Sequence, residues 1–523
     1  MKQETSSQPR QVFNSQSAFI MAAIGSAVGL GNIWRFPYVA YENGGGAFIL
    51  PYLIALLTVG IPFLFLDYSI GHKFRSSSPL NFRLLNRGTE PIGWVHVGIA
   101  FVIAIYYAVI IAWAICYTFF SINQTWGDDA ETFFGSTFLQ QSQEATFSLQ
   151  PVTGVLLPLI AVWVITLFIL VGGVQNGIAR VSKIFLPVLM VLFLALVVRS
   201  LMLPGAAEGL DAFFTPNFSA LTDPHVWIAA YGQIFFSLSV AFGIMITYAS
   251  YLKPRTNLTG SGMVVGFANS SFEILAGIGV FAALGFMAHQ TGTPVSDAVA
   301  GGPGLAFVAF PSLISQMPGG SIFGILFFLS LVFAGLTSLI SLVQVVTAAV
   351  ADKLGISPKT STIVFGGVMA VASCVLYPTV TGMSVLDVVD AFVNNLGIVG
   401  IALVVLICLA WVIRALPMLR DHLNKVSSFK VGWTWMALLG VVTPLVLGYM
   451  FISSTYDMAT NGYGEYPGWF VGVFGWGMVA GLVVFAVVLS LIPWRKGTVE
   501  AARAHHDEAQ KEISGADNQG DPA

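Results

Sequence analysis

Twelve long apolar runs leave this chain little choice of environment. A helix needs about 20 predominantly apolar residues to cross the hydrocarbon core of a bilayer. Runs of that order lie at approximately 17–41, 46–72, 91–123, 155–174, 180–203, 226–251, 259–289, 320–351, 361–378, 386–416, 431–454 and 467–494, numbered here as spans 1 to 12. A soluble fold of this length fails on charge. Only 9% of the 523 residues are Asp, Glu, Lys or Arg, against about 25% in ordinary soluble domains. The expected fold is an all-α integral membrane protein of about 12 transmembrane helices. A net charge of −3 offers no basic surface to nucleic acid.

The cations test the span count. With the N-terminus inside and the spans alternating, 20 of the 22 Lys and Arg fall in inside segments. The exceptions are Arg35, within span 1, and Arg199, near the outer end of span 5. Such asymmetry orients a membrane protein with both termini cytoplasmic, here in the plasma (inner) membrane. The domain reading is a cytoplasmic segment at 1–16, a core of spans 1–10 at 17–416, spans 11–12 at 417–494, and a disordered cytoplasmic tail at 495–523. Cys116, Cys374 and Cys408 have no metal spacing and read as small buried hydrophobes. His96, His225 and His289 read as interfacial or solvated.

Two spans break the rules of a membrane helix. Span 1 contains Gly25-Ser26-Ala27-Val28-Gly29-Leu30-Gly31-Asn32, with three glycines that each weaken a helix by about 1 kcal/mol relative to Ala. Span 6 contains Ser237-Leu238-Ser239-Val240-Ala241-Phe242-Gly243, polar and small at its centre. The interruptions lie five spans apart. An odd repeat length gives the two halves opposite topology, so the pattern predicts a 5+5 inverted repeat with discontinuous helices 1 and 6 and a site at the membrane midplane. Broken helices expose N–H groups to an anion and carbonyls to a cation. A zwitterionic amino acid with sodium suits both.

Ionisable groups at membrane depth point to function. Five stand out: Arg35, Glu42, Asp67, Glu273 and Asp390. Span 8 adds adjacent hydroxyls, Thr337 and Ser338, of the kind hard cations prefer. No nucleophile elbow, zinc helix or Walker loop is present, so the reading is a secondary transporter and not an enzyme. The alternatives are a channel or amino-acid sensor on the same fold, or an intramembrane enzyme.

The run from Gly25 through Asn32-Ile33-Trp34-Arg35-Phe36-Pro37 resembles the first span of the neurotransmitter:sodium symporter family. Glu42-Asn43-Gly44-Gly45-Gly46-Ala47-Phe48, Pro51-Tyr52 and Gln233-Ile234-Phe235-Phe236-Ser237-Leu238-Ser239 extend the match, which is nearest to bacterial sodium-coupled amino-acid carriers. The resemblance implies two sodium sites. One uses the Ala27 carbonyl, the side chains of Asn32, Ser237 and Asn269, and the substrate carboxylate. The other uses carbonyls of Gly25, Val28 and Ala334 with the hydroxyls of Thr337 and Ser338. It also implies a substrate carboxylate near the backbone of Leu30 and Gly31 and the Tyr107 hydroxyl, and an ammonium near carbonyls of Ala27, Phe236 and Ser237 and the Ser239 side chain. The side-chain pocket is then lined by Ser26, Ile103, Phe236, Phe242, Ser338 and Leu342.

Further expectations follow from the same resemblance. Monoamine carriers have Asp where this chain has Gly29, so the implied substrate is an amino acid that brings its own carboxylate, and the mostly apolar pocket implies a neutral, aliphatic one. Ala241, in place of a Gly, is expected to narrow the pocket. Arg35 with Asp390 resembles the outer gate, and Arg10 with Asp352 the inner one. Phe13 replaces a Trp that usually helps close the inner side. Glu273 replaces a small polar residue of chloride-dependent relatives, near Tyr52 and Gln233. A fixed carboxylate there implies no chloride requirement and suggests proton return. Expected partners are the small-molecule substrate and the lipid bilayer, with no oligomeric state assigned.

Overall fold

The computed structural model describes residues 11–142, 147–292, 294–295 and 302–515. Among these, ten helices are each long and apolar enough to cross a membrane, and the bent pair Gln16–Ala27 and Leu30–Glu42, angled by 54°, makes an eleventh span. The remaining expected span, the sixth, is divided into Pro224–Ser237 and Ile244–Ala249 by a non-helical stretch at 238–243. No extended sheet strand is formed among the described residues. The all-α reading and the positions of both discontinuities therefore agree with the sequence.

Burial sorts the spans into centre and rim. Span 3 (Arg87–Asn123) and span 8 (Gly320–Leu354) have 78% of their most apolar window buried, whereas span 11 (Trp433–Thr460) and span 12 (Gly468–Leu491) have 28% and 22%. Spans 3 and 8 pack directly against one another. The rim spans turn large apolar side chains outward, among them Phe168, Trp411 and Leu491. In water such a surface would aggregate. Against lipid tails it carries no penalty, which is why these helices need no polar face.

Two sequence readings are corrected. Residues Thr498–Gly515 of the presumed disordered tail form a helix. His506 Nδ1 lies 2.7 Å from the Lys73 carbonyl and its ring stacks on Phe74, so the helix is docked on the end of span 2 (Gly46–Phe74). The cue was an amphipathic spacing of Ala502, Ala509 and Ile513, all buried. His96 is not interfacial but fully buried in span 3, with Nδ1 2.9 Å from Ser78 Oγ. His225 and His289 are exposed as expected. The three cysteines are free thiols, and Cys116 is the buried one.

Candidate functional site

The site begins where the helical ladder of span 1 stops. Val28 N–H still donates to the Ile24 carbonyl at 2.7 Å, but Gly29 is extended, with φ −116° and ψ −166°. A new helix starts at Leu30, and its first N–H groups need acceptors from elsewhere. Gly29 N–H donates to Asn32 Oδ1 at 2.9 Å, and Leu30 N–H donates to the Tyr107 hydroxyl of span 3 at 3.1 Å. The break is thus held open by side chains.

Span 6 unwinds differently. Ser239, Ala241 and Gly243 have φ of 54°, 68° and 86°, a left-handed alternation that only glycine adopts without strain. Ser and Ala there store roughly 1–3 kcal/mol each, which surrounding contacts must hold. Ala241 N–H donates to Asp67 Oδ2 at 3.2 Å, and the Ser239 hydroxyl donates to the Ser26 carbonyl at 3.2 Å. Asp67, buried in span 2, therefore anchors the unwound backbone. Ala241 does not line the cavity described next. Its expected narrowing of the pocket is replaced by a strained backbone.

The two breaks enclose one cavity of about 60 Å³. Its lining brings together Ser26, Ala27, Leu30, Gly31, Ile103, Tyr107, Phe236, Ser237, Ser239, Phe242, Ser338 and Leu342, all of the residues that the sequence assigned to substrate. Gly29, Asn32 and Ile244 also line it. Sequence reasoning missed Asn394 and Ile398, which enter from span 10 (Gly382–Val412) on a π-helical turn, Val393–Ile398. Such turns are often found at functional sites, but nothing in the local residue pattern announces one. A Cβ on Gly29 would lie 3.0 Å from both Ser338 Oγ and the Tyr107 hydroxyl. Any side chain at residue 29 would therefore crowd Ser338 and Tyr107, both of which line the cavity.

Oxygen-bearing groups gather in two places beside the cavity. Asn32 Nδ2 donates to Asn269 Oδ1 at 2.9 Å, and Asn269 Nδ2 donates to Ser237 Oγ. Spans 1, 6 and 7 (Leu258–Thr291) thus meet through three buried polar side chains. On the other side, span 8 approaches Gly25 closely: a Cβ on that glycine would lie 3.5 Å from the Thr337 side chain. The Thr337 hydroxyl donates to the Ala334 carbonyl at 2.9 Å, and the Ser338 hydroxyl to the Ser26 and Ala334 carbonyls at 3.2 Å. Both groupings hold oxygens of a kind that suits a small hard cation.

Glu273 lies behind the first grouping, fully buried. Gln233 Nε2 donates to its Oε1 at 2.6 Å, and the Tyr52 hydroxyl donates to its Oε2 and lies 2.8 Å from Ser270 Oγ. Near the cavity, Asp390 Oδ1 accepts from the Tyr106 hydroxyl at 2.6 Å, while the Arg35 guanidinium sits 4.5 Å above the Phe236 ring. These two residues form no direct ion pair among the described residues. Glu42 is exposed at the end of span 1.

Arg10 lies outside the described residues. Its expected partner Asp352 accepts from Ser77 N–H at 2.8 Å. Phe13 is packed edge-on against Phe19, Tyr248 and Tyr251, with its N–H on the Tyr251 carbonyl at 2.8 Å.

Comparison with known proteins places these features in context. A sequence profile described as "Sodium:neurotransmitter symporter family" matches residues 10–134 and 125–496. An uncharacterized sodium-dependent transporter of Methanocaldococcus jannaschii is 40% identical over 492 residues, covering 94% of this chain and 99% of that relative. The human sodium- and chloride-dependent GABA transporter 2 is 29% identical over 542 residues, covering 95% of this chain and 89% of its own. Among solved structures, MhsT in complex with L-phenylalanine superposes with a TM-score of 0.71 at 32% identity, over 85% of this chain and all of that one.

Proposed function

The chain belongs to the sodium:neurotransmitter symporter family, whose members are secondary transporters and not enzymes, and from that premise we propose that it imports a neutral, aliphatic amino acid together with sodium by alternating access. The carrying observation is the single cavity between the two helix breaks, flanked on both sides by clustered oxygens. In this reading the backbone of Leu30 and Gly31 and the Tyr107 hydroxyl take the substrate carboxylate. The carbonyls of Ala27, Phe236 and Ser237, with the Ser239 side chain, take the ammonium. Two sodium ions are cargo. Asn32, Ser237, Asn269 and the Ala27 carbonyl would hold one, and Gly25, Val28, Ala334, Thr337 and Ser338 the other.

In this reading binding of both cargoes favours a closed outer vestibule: Phe236 and Phe242 line the cavity, Arg35 lies over Phe236, and Asp390 is bonded to the lining residue Asn394. Opening on the other side requires Phe13 and the inner half of span 6 to separate. Arg10 and Asp352 are assigned to that inner closure. Glu273 supplies a resident negative charge near the first sodium position, so chloride is not required, and the carboxylate carries a proton back on the return step. Lys and Arg cluster at the ends placed in the cytoplasm, and both termini are assigned there, in the plasma membrane.

The test is uptake into proteoliposomes under an imposed sodium gradient. Accumulation should require sodium and move net positive charge inward. Asn32→Ala and Thr337→Ala should each raise the sodium concentration for half-maximal uptake severalfold. Undiminished uptake with choline in place of sodium would refute the proposal.

A further inference from the structure

One buried carboxylate collects the ends of three spans. Glu90 opens the α-helix of span 3 and is 1% exposed. Its Oε1 accepts from Lys353 Nζ at 2.9 Å, from Trp494 Nε1 at 2.8 Å and from Trp94 Nε1 at 3.1 Å, and its Oε2 accepts from Arg83. Lys353 belongs to the last turn of span 8, and Trp494 lies just beyond span 12. The Lys353 ammonium also sits 4.4 Å from the Trp494 ring centroid and 5.4 Å from that of Trp94. Breaking a charge pair buried this deeply strands the surviving charge without water. The joint is therefore firm, and none of its members lines the cavity.

The C-terminal segment leaves from this joint. Arg495 N–H donates to the Lys353 carbonyl at 3.3 Å, and its guanidinium donates to the Gly355 carbonyl. The helix Thr498–Gly515 then reaches the end of span 2, where His506 meets the Lys73 carbonyl and the Phe74 ring. Arg255, in the connection between spans 6 and 7, donates to the Glu512 carbonyl at 3.4 Å. One end of the segment is thus fixed to spans 3 and 8, and its body lies on span 2 and beside span 6.

Span 2 and the second half of span 6 form one body. A Cβ on Gly71 would lie 2.1 Å from the Ile246 carbonyl, so the two backbones touch, and Asp67 of span 2 holds Ala241 N–H. Toward span 8 the same half of span 6 makes polar contacts that water can replace. The Tyr248 and Ser341 hydroxyls are 2.7 Å apart, and Gln344 Nε2 donates to the Tyr251 hydroxyl at 2.7 Å. Cargo that leaves the cavity past this half of span 6 must part those contacts, and the C-terminal segment bridges the two bodies that separate.

Resting on the alternating-access reading above, we propose that Glu90 is a positioning residue whose carboxylate anchors the C-terminal segment as a clasp between span 2 and spans 3 and 8. The clasp touches no cargo. It sets how often this end of the carrier opens.

The experiment uses the purified full-length chain with its three cysteines replaced by alanine and Val345→Cys as a probe. Val345 is 1% exposed, and a Cβ on Gly243 of span 6 would lie 3.2 Å from it. Labelling by a water-soluble maleimide reads the parting of spans 6 and 8. Glu90→Gln should speed labelling about tenfold, since a hydrogen bond to a charged group contributes at least that much. Trp494→Phe keeps a ring but loses the N–H, should act in the same direction, and carries the test if Glu90→Gln does not fold. Ala509→Arg with Ile513→Asp places charge on the buried face of the helix, and should free 498–515 to hydrogen exchange and speed labelling as much. Adding Glu90→Gln to that pair should then change labelling little, because the anchor has nothing left to hold. A Glu90 that only stabilises the fold would add its whole effect there, and that result overturns the proposal. So does a freely exchanging helix with labelling as slow as in the unaltered chain. Failure of the underlying transport reading looks different: the unaltered protein shows no sodium-driven uptake of any neutral amino acid.

Discussion

Gly29 is the residue whose missing side chain leaves the space between two hydroxyls of the cavity open. Its hydrogen atoms face the Tyr107 hydroxyl and Ser338 Oγ, and a Cβ would sit 3.0 Å from each. Gly29→Asp should place a carboxylate where the substrate carboxylate is proposed to lie, with like charges opposed in a dehydrated space. Amino-acid affinity should fall at least tenfold in equilibrium binding with purified protein; unchanged affinity would move the carboxylate site elsewhere. Glu273 makes a second residue-scale claim. It is fully buried and held by Tyr52 and Gln233, so its removal leaves two polar groups facing a vacated anion position. Glu273→Ser should make uptake respond to external chloride and abolish any stimulation by internal acid. A Glu273→Ser carrier that transports well, ignores chloride and keeps its response to internal pH would show that the carboxylate has no charge-compensating role. The sequence flagged both residues because a glycine and a carboxylate are conspicuous in apolar spans. Asn394 escaped, since an Asn four residues after an acidic residue on a helix is ordinarily satisfied by that neighbour. Only packing shows that its oxygen is left over.

Helices and their ends carry the next set of consequences. Arg35 lies over Phe236 and Asp390 is bound by Tyr106 and Asn394, so the two proposed gate residues stand without a direct ion pair among the described residues. If both close over the cargo, removing either strands the other charge in a partly dehydrated vestibule, a loss that reaches about 3–5 kcal/mol for buried pairs. Arg35→Ala and Asp390→Ala should each cut uptake at least tenfold, and the double variant should lose less than the sum of both in free energy. Strict additivity would mean the residues are uncoupled. At the other end, the helix Thr498–Gly515 contacts a pair of imidazoles: His72 Nδ1 lies 2.9 Å from His422 Nε2, and Gln510 Nε2 lies 3.4 Å from His422 Nδ1. Burial, then His72, Lys73, His506 and Lys425, hold the His422 imidazole well below its ordinary value. The undocked state therefore binds protons more readily than the docked one. Docking is complete above the ordinary histidine value of about 6.5 and weakens as pH falls below it. Hydrogen exchange across 498–515 should be faster at pH 5.5 than at 7.5, and the difference should shrink in His422→Gln. Equal protection at both values would remove His422 as the cause.

At the scale of the whole molecule, spans 3 and 8 form the buried centre while spans 4, 5, 9, 11 and 12 turn apolar side chains outward. The sequence by itself determined the membrane environment, the all-α character and the places where two of the spans break. Those properties depend on local composition: apolar runs of spanning length, and glycine or small polar residues that cannot sustain a helix without outside support. It also marked the cavity residues through their resemblance to a family, and the folded chain gathers all of them around one space. What the tertiary structure alone decided depends on contacts between residues far apart in the chain. Asp67 holds the unwound backbone at Ala241 across 174 positions, and Tyr107 caps Leu30 across 77. Span 10 contributes an amide that no local pattern assigns to the cavity. The C-terminal helix gains order from docking on span 2, since its own residues carry too few apolar groups to fold alone. Hydrogen-bond satisfaction in a dehydrated interior is a property of the assembled bundle, because a buried donor or acceptor finds its partner wherever packing brings one.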